Sequence, residues 1–595
     1  MSNDENDTDP GIPPEEEQTE VASTPSDTTP VHEEQAREAT EQTAAALDAS
    51  LLRVGFVNFD AGATDNTTTG AMVSADLRQH FRRDVYVGIR DREQNIDFLG
   101  RIVEGPFHAP HEVSQDSAIT RTTVLHPDRT QFRPTYYVYG TIEVLGSLTE
   151  GEHVMPTPTR PRPYSEIYIF PEARLRRLLD IEGDFYLGHL TGYSRVTVQT
   201  RVENKNFLPR NVGVFGTIGS GKSNTIQVIM EETLRAGWAV VAIDVEGEYV
   251  RMNEATDDQN LARLLNSDHN LAPSGVNDLR VYVPMSGHSE AANPLSFKIP
   301  ISELQPEVIG DILEFTEAQI RLFGGITDRA SRRPQTQTSG RRGSLGAATT
   351  VQPRPYSLQD LIDGLTEDAQ GRFPLVPNIA THERPTANTL RGKLIHLGRS
   401  GMLDWNTTSA VPELPVNDLL VGGRLSVLDV SETDDRSRNL AIAYTLQALF
   451  DRVIETTAGE RMPSGGVRPR VLVVIEEVHT FVSRASAAKM RAVLDNLQII
   501  SRRGRKRWMA LALVSQQPGH VPDELFELAN TRFIHQLKSV ANLMPVKQTT
   551  GGVHEALWST VPSLGVGQCL LTGAVFRNPL FVNIRPAKSR RLLVT

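Results

Sequence analysis

Residues Gly216-Thr-Ile-Gly-Ser-Gly-Lys222-Ser223 decide how this 595-residue chain is read. The octet satisfies GxxxxGK[ST] in full, follows the apolar run 212–215 and leads into 224–236, whose pattern is helical. Gly216, Gly219 and Gly221 let the backbone curl until its N–H groups face an anion. The helix that follows points its positive end at the same place. Lys222 is placed to neutralise the β- and γ-phosphates of a nucleoside triphosphate, and Ser223 to bind Mg²⁺. Thr217, Ser220 and Asn224 complete the expected ATP-binding loop.

Outward from the octet, the runs 239–243, 425–430, 471–475 and 510–514 are short, apolar and continuous. Continuous apolarity marks strands buried on both faces, as in a parallel α/β sheet. An ATPase core over 205–540 is expected, with a helical insertion at about 295–415. Within the insertion, 327–354 is rich in Arg, Gly, Ser, Thr and Gln and reads as a mobile loop, including Arg332, Arg333, Arg341 and Arg342. Residues 541–595 read as an extension packing on the core or on a neighbouring subunit.

Acids stand where the strands end. Run 471–475 meets Glu476-Glu477-Val478-His479. Glu476 is placed to hold Mg²⁺, in part through water, and Glu477 to polarise an attacking water. The strand over 509–514 ends in Ser515-Gln516, an amide able to touch a γ-phosphate. Asp244-Val-Glu246-Gly-Glu248-Tyr249 follows the second strand, on the side where α/β proteins build sites; Asp244, Glu248 and His479 are further candidates. Ser501-Arg-Arg-Gly-Arg-Lys-Arg507 is the densest basic run. One of its guanidinium groups could grip a phosphate in a neighbouring subunit, and others could meet nucleic-acid phosphates.

The N-terminal third has a different texture. Residues 1–50 carry 14 acidic side chains against Arg37 alone, so the rest of the chain is near neutral despite a net charge of -12. Such a segment buries too little apolar surface to order itself, and an acidic disordered tail is expected. From 51 to 155, alternating runs at 85–89, 98–103, 117–124 and 136–144 suggest strands of a small β-barrel. A Pro-rich linker and lead-in is expected over 156–204. One cysteine, Cys569, leaves no intrachain disulfide and fits a reducing compartment. Acids where a signal peptide has basic residues, and apolar runs too short to span a bilayer, suggest a soluble cytoplasmic protein without a membrane partner.

Read in order, GTIGSGKSNT, the DxxGEY segment at 244–249, IEEVH at 475–479, SRRGRK at 501–506 and VSQQP at 514–518 resemble the HerA-like ATPases, DNA translocases of the HerA/FtsK branch. The resemblance implies a RecA-like P-loop core, mostly parallel in its sheet, behind a small barrel. It implies Glu477 as the catalytic carboxylate, Gln516 as sensor, Arg502 or in its stead Arg505 as a finger acting between subunits, and Arg210 near the phosphates. It further implies a homo-hexameric ring on double-stranded DNA, with a separate nuclease or NAD-consuming effector, in DNA end processing or anti-phage defence. An ATP-binding ring that only organises its partner is the alternative. Glu246, Ile218 and Gln517 depart from the family's usual His, polar residue and Arg.

Overall fold

The computed structural model describes residues 51–59, 67–110, 117–126, 128, 135–149, 153–285, 287–332, 355–399, 401–403, 405, 410–462, 465–487 and 490–592. The acidic tail and the basic residues Arg333, Arg341 and Arg342 lie outside them.

The first sheet holds β1 (Leu52–Val57), β2 (Thr68–Ser74), β3 (Tyr86–Asp91), β4 (Ile96–Pro110), β5 (Tyr136–Leu148), β6 (Val154–Met155) and β7 (Glu166–Ile169). Its order is β2-β1-β7-β3-β4-β5-β6, and β2 also pairs with β5, so six strands close a barrel. Val54, Val87, Ile89, Phe98, Ile102, Val138, Ile142 and Ile167 fill it. Two expectations change here. The stretch 117–124 is a helix, Ala118–Leu125, in which Thr122 turns its hydroxyl back onto the Ala118 carbonyl at 2.7 Å. The expected linker contains β7, which the barrel needs to close between β1 and β3.

The second sheet holds β8 (Phe185–Leu190), β9 (Thr197–Thr200), β10 (Val212–Phe215), β11 (Ala239–Asp244), β12 (Asp278–Pro284), β13 (Leu295–Phe297), β14 (Arg424–Asp429), β15 (Val471–Ile475), β16 (Met509–Ser515), β17 (Thr531–Ile534), β18 (Gln568–Thr572) and β19 (Leu580–Ile584). Its order is β13-β12-β14-β11-β15-β16-β10-β17-β18-β19-β8-β9. From β13 to β17 neighbours run parallel; from β17 onward they run antiparallel. Every residue of β10, β11, β14, β15 and β16 is buried, as continuous apolar runs require.

The insertion's helices Glu317–Ser331, Leu358–Gly364 and Arg384–Gly398 bury Phe323, Ile326, Leu361, Leu390 and Leu394 in the same core as β11 and β15. The stretch expected as a loop from 327 is helical over 327–331, the end of a helix whose start is capped by Thr316 and Gln319; residues 333–354 lie outside the described residues. The expected C-terminal extension is likewise part of the sheet: β18 and β19 carry it from β17 to β8.

Candidate active site

Four strand ends meet on one edge of the second sheet. β16 lies between β10 and β15, with Phe215 beside Ser515 and Ile475 beside Leu513. The phosphate loop, Gln516 and the Glu476-Glu477 pair therefore leave the sheet side by side. β11 flanks β15 and adds the segment Asp244 to Tyr249.

Within the loop, Gly219 and Gly221 take φ of +75° and +107°, which L side chains rarely adopt. A Cβ on Gly221 would fall 2.8 Å from the Gly567 nitrogen, whereas one on Gly219 meets nothing within 4 Å. Ser220 Oγ and Lys222 Nζ donate to the Thr217 carbonyl at 2.7 and 3.1 Å. Thr217 donates from its amide and its hydroxyl to the Gln536 carbonyl, at 2.9 and 3.0 Å.

Under the loop lies His535, which sequence reasoning missed because no motif surrounds it. Its Nδ1 faces the Gln568 carbonyl at 2.8 Å and its Nε2 faces Thr225 Oγ1 at 2.9 Å. A carbonyl only accepts, so Nδ1 carries the proton and the threonine hydroxyl donates to Nε2. Burial pulls this imidazole down to about 4, and the Lys222 charge pushes the same way.

Asn224, expected in the ATP-binding loop, also bonds to the segment after β19. Its Nδ2 donates to the Arg585 carbonyl and its Oδ1 accepts the Ala587 amide, both at 2.8 Å. Through these two bonds it braces the loop against the C-terminal segment.

The acids divide by role. Asp244 is fully buried and collects the amides of Gly247 at 2.7 Å and Tyr249 at 2.8 Å, with those of Glu246 and Glu248 at 3.2 Å. It shapes the turn that aims Glu246 and Glu248. Burial lifts its carboxyl to about 7, and neighbouring Asp429 pushes it the same way. Glu476 accepts the Tyr249 hydroxyl on Oε1, while its Oε2 is buried with no hydrogen-bond partner. Burial, then Asp244 and Glu248, hold its carboxyl well above the usual range.

Glu477 sits at φ +41°, a left-handed conformation costly for a residue with a side chain. Its Oε2 accepts the Gln516 amide at 3.1 Å and lies 3.0 Å from His479 Nδ1. Gln516 Nε2 in turn donates to Glu246 Oε1 at 3.3 Å. Burial draws Lys222 below its ordinary pKa, although Glu477, Glu246, Glu248 and Glu476 all favour its charge. The ammonium thus sits in the field of four acidic side chains without an ion pair to any of them among the described residues.

The three candidate arginines lie away from the P-loop of their own chain. Arg210 precedes β10; Arg502 stands in the last turn of the helix Arg491–Gly504, and Arg505 opens the turn Arg505–Arg507 before β16. These strands are parallel, so all three sit at the sheet edge opposite the phosphate loop, the length of a strand away (about 13 Å for four residues). None of the three joins its own chain's P-loop. Asn211 Nδ2 ties their turns together by donating to Ser501 Oγ at 2.6 Å. Arg502 and Arg505 are exposed, with no ion pair among the described residues.

A P-loop between parallel strands, with paired carboxylates beside it, defines a P-loop ATPase. Residues 185–449 match the family model described as Helicase HerA, central domain. The DNA double-strand break repair helicase HerA of Pyrococcus furiosus is 22% identical over 483 residues, 76% of this chain and 78% of that protein. Its counterpart in Saccharolobus solfataricus is 21% identical, over 69% of this chain and 71% of that one. Among solved structures, VirB4 of Thermoanaerobacter pseudethanolicus aligns at 14% identity and a TM-score of 0.44, covering 68% of this chain and 96% of its own. The bacterial conjugative coupling protein TrwB aligns at 11% and 0.41, covering 71% and 95%. The chain is thus similar to the HerA helicases, and it is an enzyme that hydrolyses ATP. Among the described residues no helix is long and apolar enough to cross a membrane.

Proposed function

We propose that this ATPase is a hexameric ring that moves along double-stranded DNA in the service of a separate nuclease or NAD-consuming effector. The observation that carries the reading is the division of the phosphate chemistry between two edges of one sheet. The P-loop and carboxylates occupy one edge; Arg210, Arg502 and Arg505 occupy the other. A guanidinium there reaches a γ-phosphate only when a second copy presents its P-loop to that edge. Repeating such a head-to-tail contact closes a ring. Similarity to DNA repair helicases supports duplex DNA as the track, held through its backbone without sequence readout. DNA end processing and anti-phage defence are the two settings the reading allows, both in the cytoplasm.

In this mechanism the loop amides and Lys222 hold the β- and γ-phosphates, and Glu477 takes the proton of the attacking water. The Gln516 amide and His479 fix the Glu477 carboxylate. The Gln516 side chain, bonded to Glu246, is free to exchange that partner for a γ-phosphate oxygen. The residues fit a divalent cation, because Ser223 lies in the first turn of the P-loop helix and Glu476 Oε2 is buried without a partner. Mg²⁺ bound there would offset phosphate charge. Arg502 or Arg505 of a neighbouring subunit would neutralise charge developing on the γ-phosphate.

The test is ATP turnover with and without linear duplex DNA over a range of salt, alongside the mass of the assembly. DNA stimulation in a hexamer is the expected result. A ring with no stimulation at any salt would leave only the scaffold reading.

A further inference from the structure

The segment from Arg585 to Leu592 follows β19 and runs as a strap from the phosphate loop to the acids facing it. It begins at Asn224, one residue past Ser223, through the two bonds already described. Glu231 Oε1, on the P-loop helix, then accepts the Lys588 amide at 2.7 Å and the Ser589 amide and hydroxyl at 2.8 Å. Thr256 and Ser274 donate their amides to the Lys588 carbonyl at 3.0 and 3.1 Å. Arg590 bridges Glu254 at 2.5 Å and Asp257 at 3.0 Å. The Leu592 amide donates to the Glu248 carbonyl at 2.9 Å. Bonds at both ends leave Arg591 little choice of position.

The Arg591 guanidinium lies 3.7 Å from Glu248 Oε2, a buried oxygen with no hydrogen-bond partner. Two cations act on Glu246, namely Lys222 and Arg591. Lys222 Nζ rests on the Thr217 carbonyl, and the charges of Glu477, Glu246 and Glu248 attract the same ammonium and so compete with a phosphate for it. A second cation drawing on Glu248 and Glu246 weakens that competition, because opposite charges a few ångströms apart attract strongly where water is scarce.

We propose that Arg591 is a positioning residue of the ATP site, holding Glu248 and shielding Glu246 so that Lys222 is left for the phosphates. On this view the strap is a built-in part of the nucleotide site, and Arg591 sets ATP affinity without touching the reacting atoms. The proposal rests on the P-loop being the nucleotide site.

Equilibrium binding of a fluorescent ATP analogue to the full-length protein tests it, with thermal melting in parallel. Arg591→Ala should weaken binding about tenfold, the size of one lost charge interaction in a half-buried site. Arg591→Lys should recover most of the loss. Adding Glu248→Gln to Arg591→Ala should bring affinity back to within about threefold of wild type, since the competing charge is gone. A role confined to anchoring the strap predicts a lower melting temperature and no rescue by either change, which would overturn the proposal. So would an Arg591→Ala affinity within about twofold of wild type. Lys222→Ala run beside them tests the P-loop independently: unchanged binding there overturns that premise, whatever Arg591 does.

Discussion

The backbone amide of Gln516 donates to Glu477 Oε2 across 3.1 Å. The acid at the end of β15 is thereby fixed by the strand that separates it from the phosphate loop. Glu477→Gln should keep this hydrogen bond and the strained backbone while losing the base. Turnover is expected to fall about 10²- to 10⁴-fold, with nucleotide affinity changed less than about threefold. Single-turnover hydrolysis beside equilibrium binding checks both; turnover near the wild-type rate would remove Glu477 as the base.

Two glycines of one loop should behave differently. At Gly219 an added Cβ meets no atom within 4 Å, so Gly219→Ala bears only the cost of a positive φ, about 1 kcal/mol. At Gly221 the same carbon meets backbone at 2.8 Å, and the loop must move. Gly221→Ala should lose nucleotide binding by at least about tenfold more than Gly219→Ala, as titration calorimetry would show.

Arg502→Ala and Lys222→Ala should each silence a homogeneous ring. Mixed in equal parts, they should regain a measurable fraction of activity, because one intact interface forms wherever a subunit with Arg502 meets one with Lys222. Well-formed mixed rings without recovery would shift the finger to Arg505, to be tried in the same way.

Arg585 is fully buried and bridges Glu231 and Glu232, each at 2.9 Å. Arg585→Ala leaves Glu231 with only the neutral donors of Lys588 and Ser589 and Glu232 with only the half-exposed Arg235 as a cation, and should cost about 3 kcal/mol of stability. Chemical denaturation should show part of that recovered when Glu232→Gln is added.

His535 is held neutral down to about pH 4 in the fold, whereas an unfolded imidazole takes its proton near pH 6.5. Below the higher value the unfolded chain binds the extra proton, so stability falls as pH drops from about 6.5 to 4, by up to about 3 kcal/mol. Above pH 6.5 this contribution is fully present. Unfolding free energies across that range should show a shallower slope in His535→Gln, with His269, also drawn down to about 4, keeping its own share; a slope unchanged in the variant would count against the assignment.

Much of the site was legible because its chemistry sits in contiguous motifs at strand ends. The octet, Glu476-Glu477 and Gln516 each follow a fully buried strand, and parallel register then brings them together. What escaped depends on distant pairing. β7 is four residues long and has meaning only between β1 and β3. His535 reaches the loop from the end of β17, Arg585 and Arg591 through the strap beyond β19, and no local pattern marks them. Arg210 shows the converse limit: twelve positions before Lys222, it is placed by strand direction at the far edge. The helix Ala118–Leu125 was missed because its β-branched residues read as strand, a weak prior that its context overrides.

The hairpin of β18 and β19 touches two distant things. Near its open end, the Gly567 amide donates to the Ser220 carbonyl at 3.0 Å, inside the phosphate loop. At its tip, the Pro579 carbonyl accepts buried Arg101 of the barrel at 2.6 Å, and Arg577 donates to the Val154 carbonyl at 3.1 Å. Five-residue strands are stiff rods of about 17 Å, laddered to neighbours on both sides. The hairpin is thus one continuous hydrogen-bonded bracket with its foot on the phosphate loop and its tip on the barrel wall.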